Sequence, residues 1–179
     1  GFWQSEKYFK NIADEIRKEI TLKAPFSAHS LKLLEKIEET NSVSIHVRRY
    51  ASEHIKPWHG FCSTEYYLEA ISLIESKVSS PNFFIFSDNY PWVIENFLPK
   101  LKELKHNFTL VENNNDKNAE DLILMSMCKH HIIANSSFSW WGAWLNPSKE
   151  KIVIAPKRWF AGAPKNDTKD LLPDDWITI

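Results

Sequence analysis

Glycine is scarce in this chain, with four residues in 179. Neither GxGxxG nor GxxxxGK occurs, which excludes the glycine-rich phosphate loops of classical dinucleotide and Walker-type sites. A basic excess is also lacking, the formal net charge being −1. That argues against a broad nucleic-acid or anionic-membrane surface, so any anion site must be local. The two cysteines, Cys62 and Cys128, form no CxxC pair and read as reduced, buried thiols of a cytosolic protein. The seven histidines show no HExxH or HxxxH spacing, so zinc is not expected. No signal peptide is recognisable in the given sequence, and no apolar run approaches the ~18 residues that suggest a membrane span. The chain opens "GFWQSEKYFK" without an initiator methionine, as a fragment of a longer protein would.

What is present is a core. Apolar residues make up 43% of the chain, enough for one folded domain of this length. Short runs rich in Val, Ile and Phe predict strands at Val43–Val47, Phe83–Phe86, Phe108–Val111, His131–Ala134 and Ile152–Ala155. They are continuous rather than alternating, as strands buried on both faces should be. Helical spacing predicts helices over Ser5–Ile20, Ser30–Glu38, Ser63–Val78, Pro91–Leu104 and Ala119–Cys128, with a further helix starting near Ser136. Strand–helix alternation implies βαβ units: a Rossmann-like, mostly parallel sheet flanked by helices. In such sheets ligands bind beyond the carboxyl ends of the strands.

Polar groups gather at those ends. The first strand delivers His46, Arg48 and Arg49, the second "SDN" with Asp88, the third Glu112, and the fourth "NSSFSWWGAW" from Asn135. With no glycine-rich loop, phosphate would be held by the rigid donor fork of arginine and by helix amino termini. Asn118 is a candidate N-cap, and Ser136, Ser137 and Ser139 offer hydroxyls at another helix start. No Asp-x-Asp triplet is present to hold a divalent cation on a diphosphate, so fixed positive charge would do that work. The same residues admit plainer readings: surface arginines, helix caps, and Trp140, Trp141 and Trp144 as core or as a sugar platform.

The blocks "SIHVRR", "FFIFSDNYPWVIENF" and "DLILMSMCKHHIIANSSFSWWGAWLN", with the ending "KIVIAPKRWF…DLLPDDWITI", resemble the bacterial α-1,2-fucosyltransferase family, glycosyltransferase family 11. The resemblance covers essentially the whole chain. It implies the carboxyl-terminal, donor-binding half of a GT-B enzyme, one domain over residues 1–179, with the amino-terminal acceptor-side domain absent and the half alone inactive. The implied reaction is inverting, metal-independent transfer of L-fucose from GDP-β-L-fucose to the 2-hydroxyl of a terminal galactoside, without a cofactor. The acceptor would be an oligosaccharide or lipid-linked glycan, and the setting cytoplasmic, at the inner face of the membrane if the missing region attaches there. The alternatives are a non-catalytic GDP-sugar-binding module and a carbohydrate-binding fragment.

The resemblance assigns residues as follows. Arg48 contacts the β-phosphate and Arg49 orients its loop, within the family's HxRRxD pattern that begins at His46. Asp88 matches an acidic residue after the second strand, and Glu112 falls where guanine is read. Asn118, Asn135, Ser136, Ser137 and Ser139 lie near the diphosphate. The resemblance assigns no general base; by nearness in sequence to the arginines, Glu53 ranks before His54 and His59. The family's Gly-Asp after the arginines is replaced by Tyr50-Ala51, which removes a carboxylate that would brace them.

Overall fold

The computed structural model describes residues 4–49, 59–112, 118–161 and 168–179. Six parallel strands form one sheet in the order β3-β2-β1-β4-β5-β6. They are β1 (Asn41–Val47), β2 (Pro81–Ser87), β3 (Phe108–Leu110), β4 (His130–Ile132), β5 (Val153–Ala155) and β6 (Ile177–Thr178). The five predicted strands are present. The sixth, two residues pairing Ile177 with Ile154, is too short to leave a pattern.

The central strands are covered on both faces. Val43, Ile45, Val47, Phe83 and Ile85 pack with Tyr67, Ala70, Ile71 and Ile74 of α3 (Thr64–Glu75). Phe84 and Phe86 face the other way, onto α2 (Ala28–Glu39) and α5 (Asn118–Met127). Strand alternation places His46 on that second face, opposite Phe86 in the register. The Glu120 carboxylate accepts from the Ser27 hydroxyl at 2.7 Å and the Ser27 N–H at 3.2 Å. That ties α5 to the residue capping α2, whose oxygen also accepts from the Ser30 N–H.

Two predicted helices are interrupted. The segment after Ser5 forms 3-10 turns, Glu6–Tyr8 and Lys10–Ile12, before α1 (Ala13–Glu19). Phe9 breaks the helix with φ −145°, ψ 14°. Its ring stacks on Trp141 at 5.3 Å and meets Trp144 edge-on at 4.9 Å, so tertiary packing overrides the local period. The second runs as a turn at Tyr90–Trp92, a π-helical turn at Val93–Phe97 and then α4 (Leu98–Glu103). Pro99 has no N–H to give the preceding turn and its ring crowds the carbonyl four residues back, which accounts for the bulge.

Trp140 and Trp144 of α6 (Ser137–Leu145) are buried and stacked at 6.2 Å in a cluster with Phe9, Trp159 and Trp176. They are core rather than a sugar platform. A buried histidine fastens the lower sheet. His131 Nδ1 lies 2.8 Å from the Ser44 hydroxyl, and Nε2 lies 3.2 Å from the Asn146 amide.

The helices α5 and α6 pack side by side at Gly142. A Cβ there would lie 2.5 Å from Met125 Sδ and 2.9 Å from its Cγ. Gly142→Val should therefore push the helices apart and destabilise the fold by about 1–3 kcal/mol. Urea unfolding would show a lower midpoint with an unchanged slope. A parental midpoint would mean that the close approach is not needed.

Candidate functional site

Strand order reverses between β1 and β4, and the open crevice lies beyond their carboxyl ends. Side chains close the last carbonyls of β1. The Tyr67 hydroxyl donates to His46 C=O at 3.0 Å and the Ser87 hydroxyl to Val47 C=O at 2.8 Å. With its backbone satisfied there, the chain leaves the sheet and sends Arg48 into the crevice.

Two chambers meet at Arg48, Asn118 and Phe138, which line both. The smaller, about 190 Å³, adds His46, Phe86, Asp88 and Asp121 to its wall. The larger, about 580 Å³, adds Asn135, Ser136, Ser137 and His59, with Trp159 and Phe160 as aromatic walls. Its size lies within the usual range for small-molecule sites.

Asp88 serves both arginines. Its Oδ2 is 3.5 Å from Arg48 Nε, and its Oδ1 accepts from the Arg49 N–H at 2.7 Å. The Arg49 guanidinium stacks 3.1 Å from the Trp92 ring centroid, with Phe61 at 5.2 Å, and lines neither chamber. Arg49 therefore holds the strand end while Arg48 faces the crevice.

Two helices start at the chamber junction. Asn118 is already helical, the first described residue of α5, and so is not its cap. Ser136 caps α6 in extended geometry, φ −141° and ψ 134°, and its side chain makes no capping bond. Its hydroxyl is thus not committed to the helix. Both helix starts concentrate backbone N–H groups and the positive end of the helix dipole on the same space.

The remaining predicted residues are placed differently from one another. Ser139 is fully buried, and its hydroxyl donates to the carbonyls of Ala134 and Ser136. The Asn135 amide donates to His59 C=O at 2.7 Å and Trp159 C=O at 3.0 Å, so it joins two walls of the larger chamber. Glu112 is exposed and lines neither chamber. The helix-start carboxylate in the smaller chamber is Asp121, which the sequence reading passed over. One turn on from Asn118, it shares that residue's helix face, and this spacing is the signal that could have found it. Glu53, His54, Tyr50 and Ala51 lie outside the described residues. Gln4, Phe138, Trp159 and Phe160 were also missed. Only Phe138, inside the quoted serine loop, had a local signal.

Cys62 and Cys128 are both buried, free thiols. Burial raises Cys62 to about 11 and pushes Cys128 higher still, so neither is a ready nucleophile. His46 is 2% exposed, and its Nδ1 has no hydrogen-bond partner among the described residues. Burial, reinforced by the Arg48 charge, lowers it to about 3. Burial also holds His131 well below the ordinary histidine value. Both stay neutral when folded, whereas their unfolded counterparts take up a proton below about pH 6.5. The unfolded state then binds more protons, so stability is full above that pH and falls as pH drops toward 3. The slope should approach about 1.4 kcal/mol per pH unit for each histidine. Urea unfolding from pH 7 to 5 measures it, and a flat profile would contradict the neutral burial of both rings.

The family model described as glycosyl transferase family 11 matches residues 1–179. An alpha-1,2-colitosyltransferase of Escherichia coli is 38% identical over 183 residues, covering 100% of this chain and 61% of that protein. A galactoside alpha-(1,2)-fucosyltransferase 2 of Bos taurus is 27% identical over 154 residues, covering 81% of this chain and 44% of its own. The chain therefore spans about half the length of these relatives. Among solved structures, POFUT1 in complex with GDP-fucose aligns with a TM-score of 0.45 and 15% identity, over 68% of this chain and 43% of that one. With the family model matching from end to end, this chain belongs to glycosyl transferase family 11.

Proposed function

We propose that this chain is the donor-binding half of an inverting, metal-independent α-1,2-glycosyltransferase. It would move L-fucose, or its 3-deoxy counterpart colitose, from a GDP donor to the 2-hydroxyl of a terminal galactoside. One observation carries the reading: Arg48 and the amino ends of α5 and α6 meet in a single crevice where the strand order reverses. The names of the relatives support the sugar and the linkage. A second, acceptor-side domain would complete the enzyme, and the half alone would not transfer.

The donor would lie along the two chambers. Arg48, the helix start at Asn118 and the hydroxyls of Ser136 and Ser137 would take the diphosphate. The guanine would enter the smaller chamber beside neutral His46, with the Asp121 carboxylate, which lines that chamber, accepting from its N1–H and exocyclic amine. The pyranose would occupy the larger chamber. The acceptor oxygen attacks C1 opposite the diphosphate, so a C–O bond forms as the bond from C1 to the phosphate oxygen breaks. The electron pair leaves on the β-phosphate, where Arg48 stabilises the charge. The hydroxyl proton passes to a base. His59 lines the larger chamber, and Glu53 is the rival.

No cofactor is required in this scheme, because the leaving charge is met by fixed donors already in place. Among the described residues, no helix is long and apolar enough to cross a membrane. Work at the cytoplasmic face of a membrane, on an oligosaccharide or lipid-linked glycan, completes the proposal.

Arg48→Ala should weaken GDP binding by about 1.5–3 kcal/mol, the range for a hydrogen bond to a charged group. Titration calorimetry measures this, and an unchanged affinity removes Arg48 from the site. Transfer by the full-length enzyme should survive EDTA at the parental rate. Loss restored by Mg²⁺ or Mn²⁺ would contradict a metal-free mechanism.

A further inference from the structure

The larger chamber contains a polar group that neither the phosphate clamp nor the fold uses. Gln4 forms part of its wall. Its Nε2 is buried and has no hydrogen-bond partner among the described residues. An unmet buried N–H is costly, so such an atom calls for a ligand or an ordered water.

Gln4 is not a loose end. Its neighbour Ser5 is buried. The Trp144 indole N–H donates to Glu6 Oε2 at 3.4 Å. Phe9 is clasped by Trp141 and Trp144. Three anchors within five residues therefore fix the strap at the chamber's rim.

The surroundings indicate what the amide would meet. Trp159, Phe160 and Phe138 supply apolar faces, while Ser136, Ser137 and His59 supply polar ones. Flat aromatic surface beside hydrogen-bonding groups suits a pyranose, with C–H faces and ring hydroxyls. The chamber shares Arg48 and Asn118 with the diphosphate clamp, which places the sugar joined to the β-phosphate in it. A neutral carboxamide donates to a hydroxyl without adding charge to a site already arranged for an anion.

We infer that Gln4 is a specificity-determining residue that donates a hydrogen bond to one ring hydroxyl of the donor sugar. This rests on the donor-binding reading above. A site built to bond a hydroxyl discriminates strongly against the analogue lacking it, because its own group is left unmet. Fucose and its 3-deoxy counterpart differ by one such hydroxyl.

The test uses the full-length protein and its Gln4→Leu variant. Each is titrated with GDP, GDP-L-fucose and the 2-, 3- and 4-deoxy analogues of that donor. The parent should bind one analogue about tenfold or more weakly. In Gln4→Leu that one penalty should collapse to within about twofold, with the other penalties and the GDP affinity unchanged. Retention of every penalty would overturn the inference and leave Gln4 holding water only. A parent indifferent to all three deoxygenations would overturn it too, as would a Gln4→Leu variant with weakened GDP binding. Failure of the parent to bind GDP would remove the donor-binding reading itself, so the two failures are distinguishable.

Discussion

A parallel sheet whose strand order reverses must leave a crevice beyond the strands on either side of the reversal. Here those strands are β1 and β4. Residues that leave the sheet there have no further strand to pair with and must find other partners. Tyr67 and Ser87 close the last carbonyls of β1, and Asp88 takes the next N–H. Asn135 does the equivalent work after β4 by tying the His59 and Trp159 segments together. The crevice is therefore bordered by satisfied backbone, with one arginine, two helix starts and a neutral histidine turned toward its interior.

Charge in this protein is local by arrangement. Net charge is close to zero, yet positive groups converge where an anion would sit. Asp88 sits between the two arginines and fixes their geometry, while stacking on Trp92 draws Arg49 aside. His46 next door is kept neutral by burial and by Arg48. It contributes a directional ring nitrogen without adding another charge. The carboxylate that braces both arginines, Asp88, comes from the end of the neighbouring strand.

Much of this was readable from the sequence. The five longer strands announce themselves because burial on both faces forces continuous apolar runs. Arg48, Asn118, Ser136 and Ser137 follow from the rule that parallel sheets place function at strand and helix ends. The failures have tertiary causes. Phe9 breaks a periodic helix because its ring belongs to the tryptophan cluster, and Ser139 turns inward two residues past Ser137, which lines the cleft. Gln4, Trp159 and Phe160 join the larger chamber from opposite ends of the chain, and no local spacing records such a meeting. β6 is held by its pairing with β5, not by any propensity of two residues.

The central claim is that the crevice between β1 and β4 holds a nucleoside diphosphate. A crystal structure of the protein with GDP tests it most directly. The account predicts phosphate oxygens within about 3 Å of Arg48 and of the backbone N–H groups opening α5 and α6, with the base beside His46. A nucleotide bound elsewhere, or an Arg48 turned away from its phosphates, would contradict it.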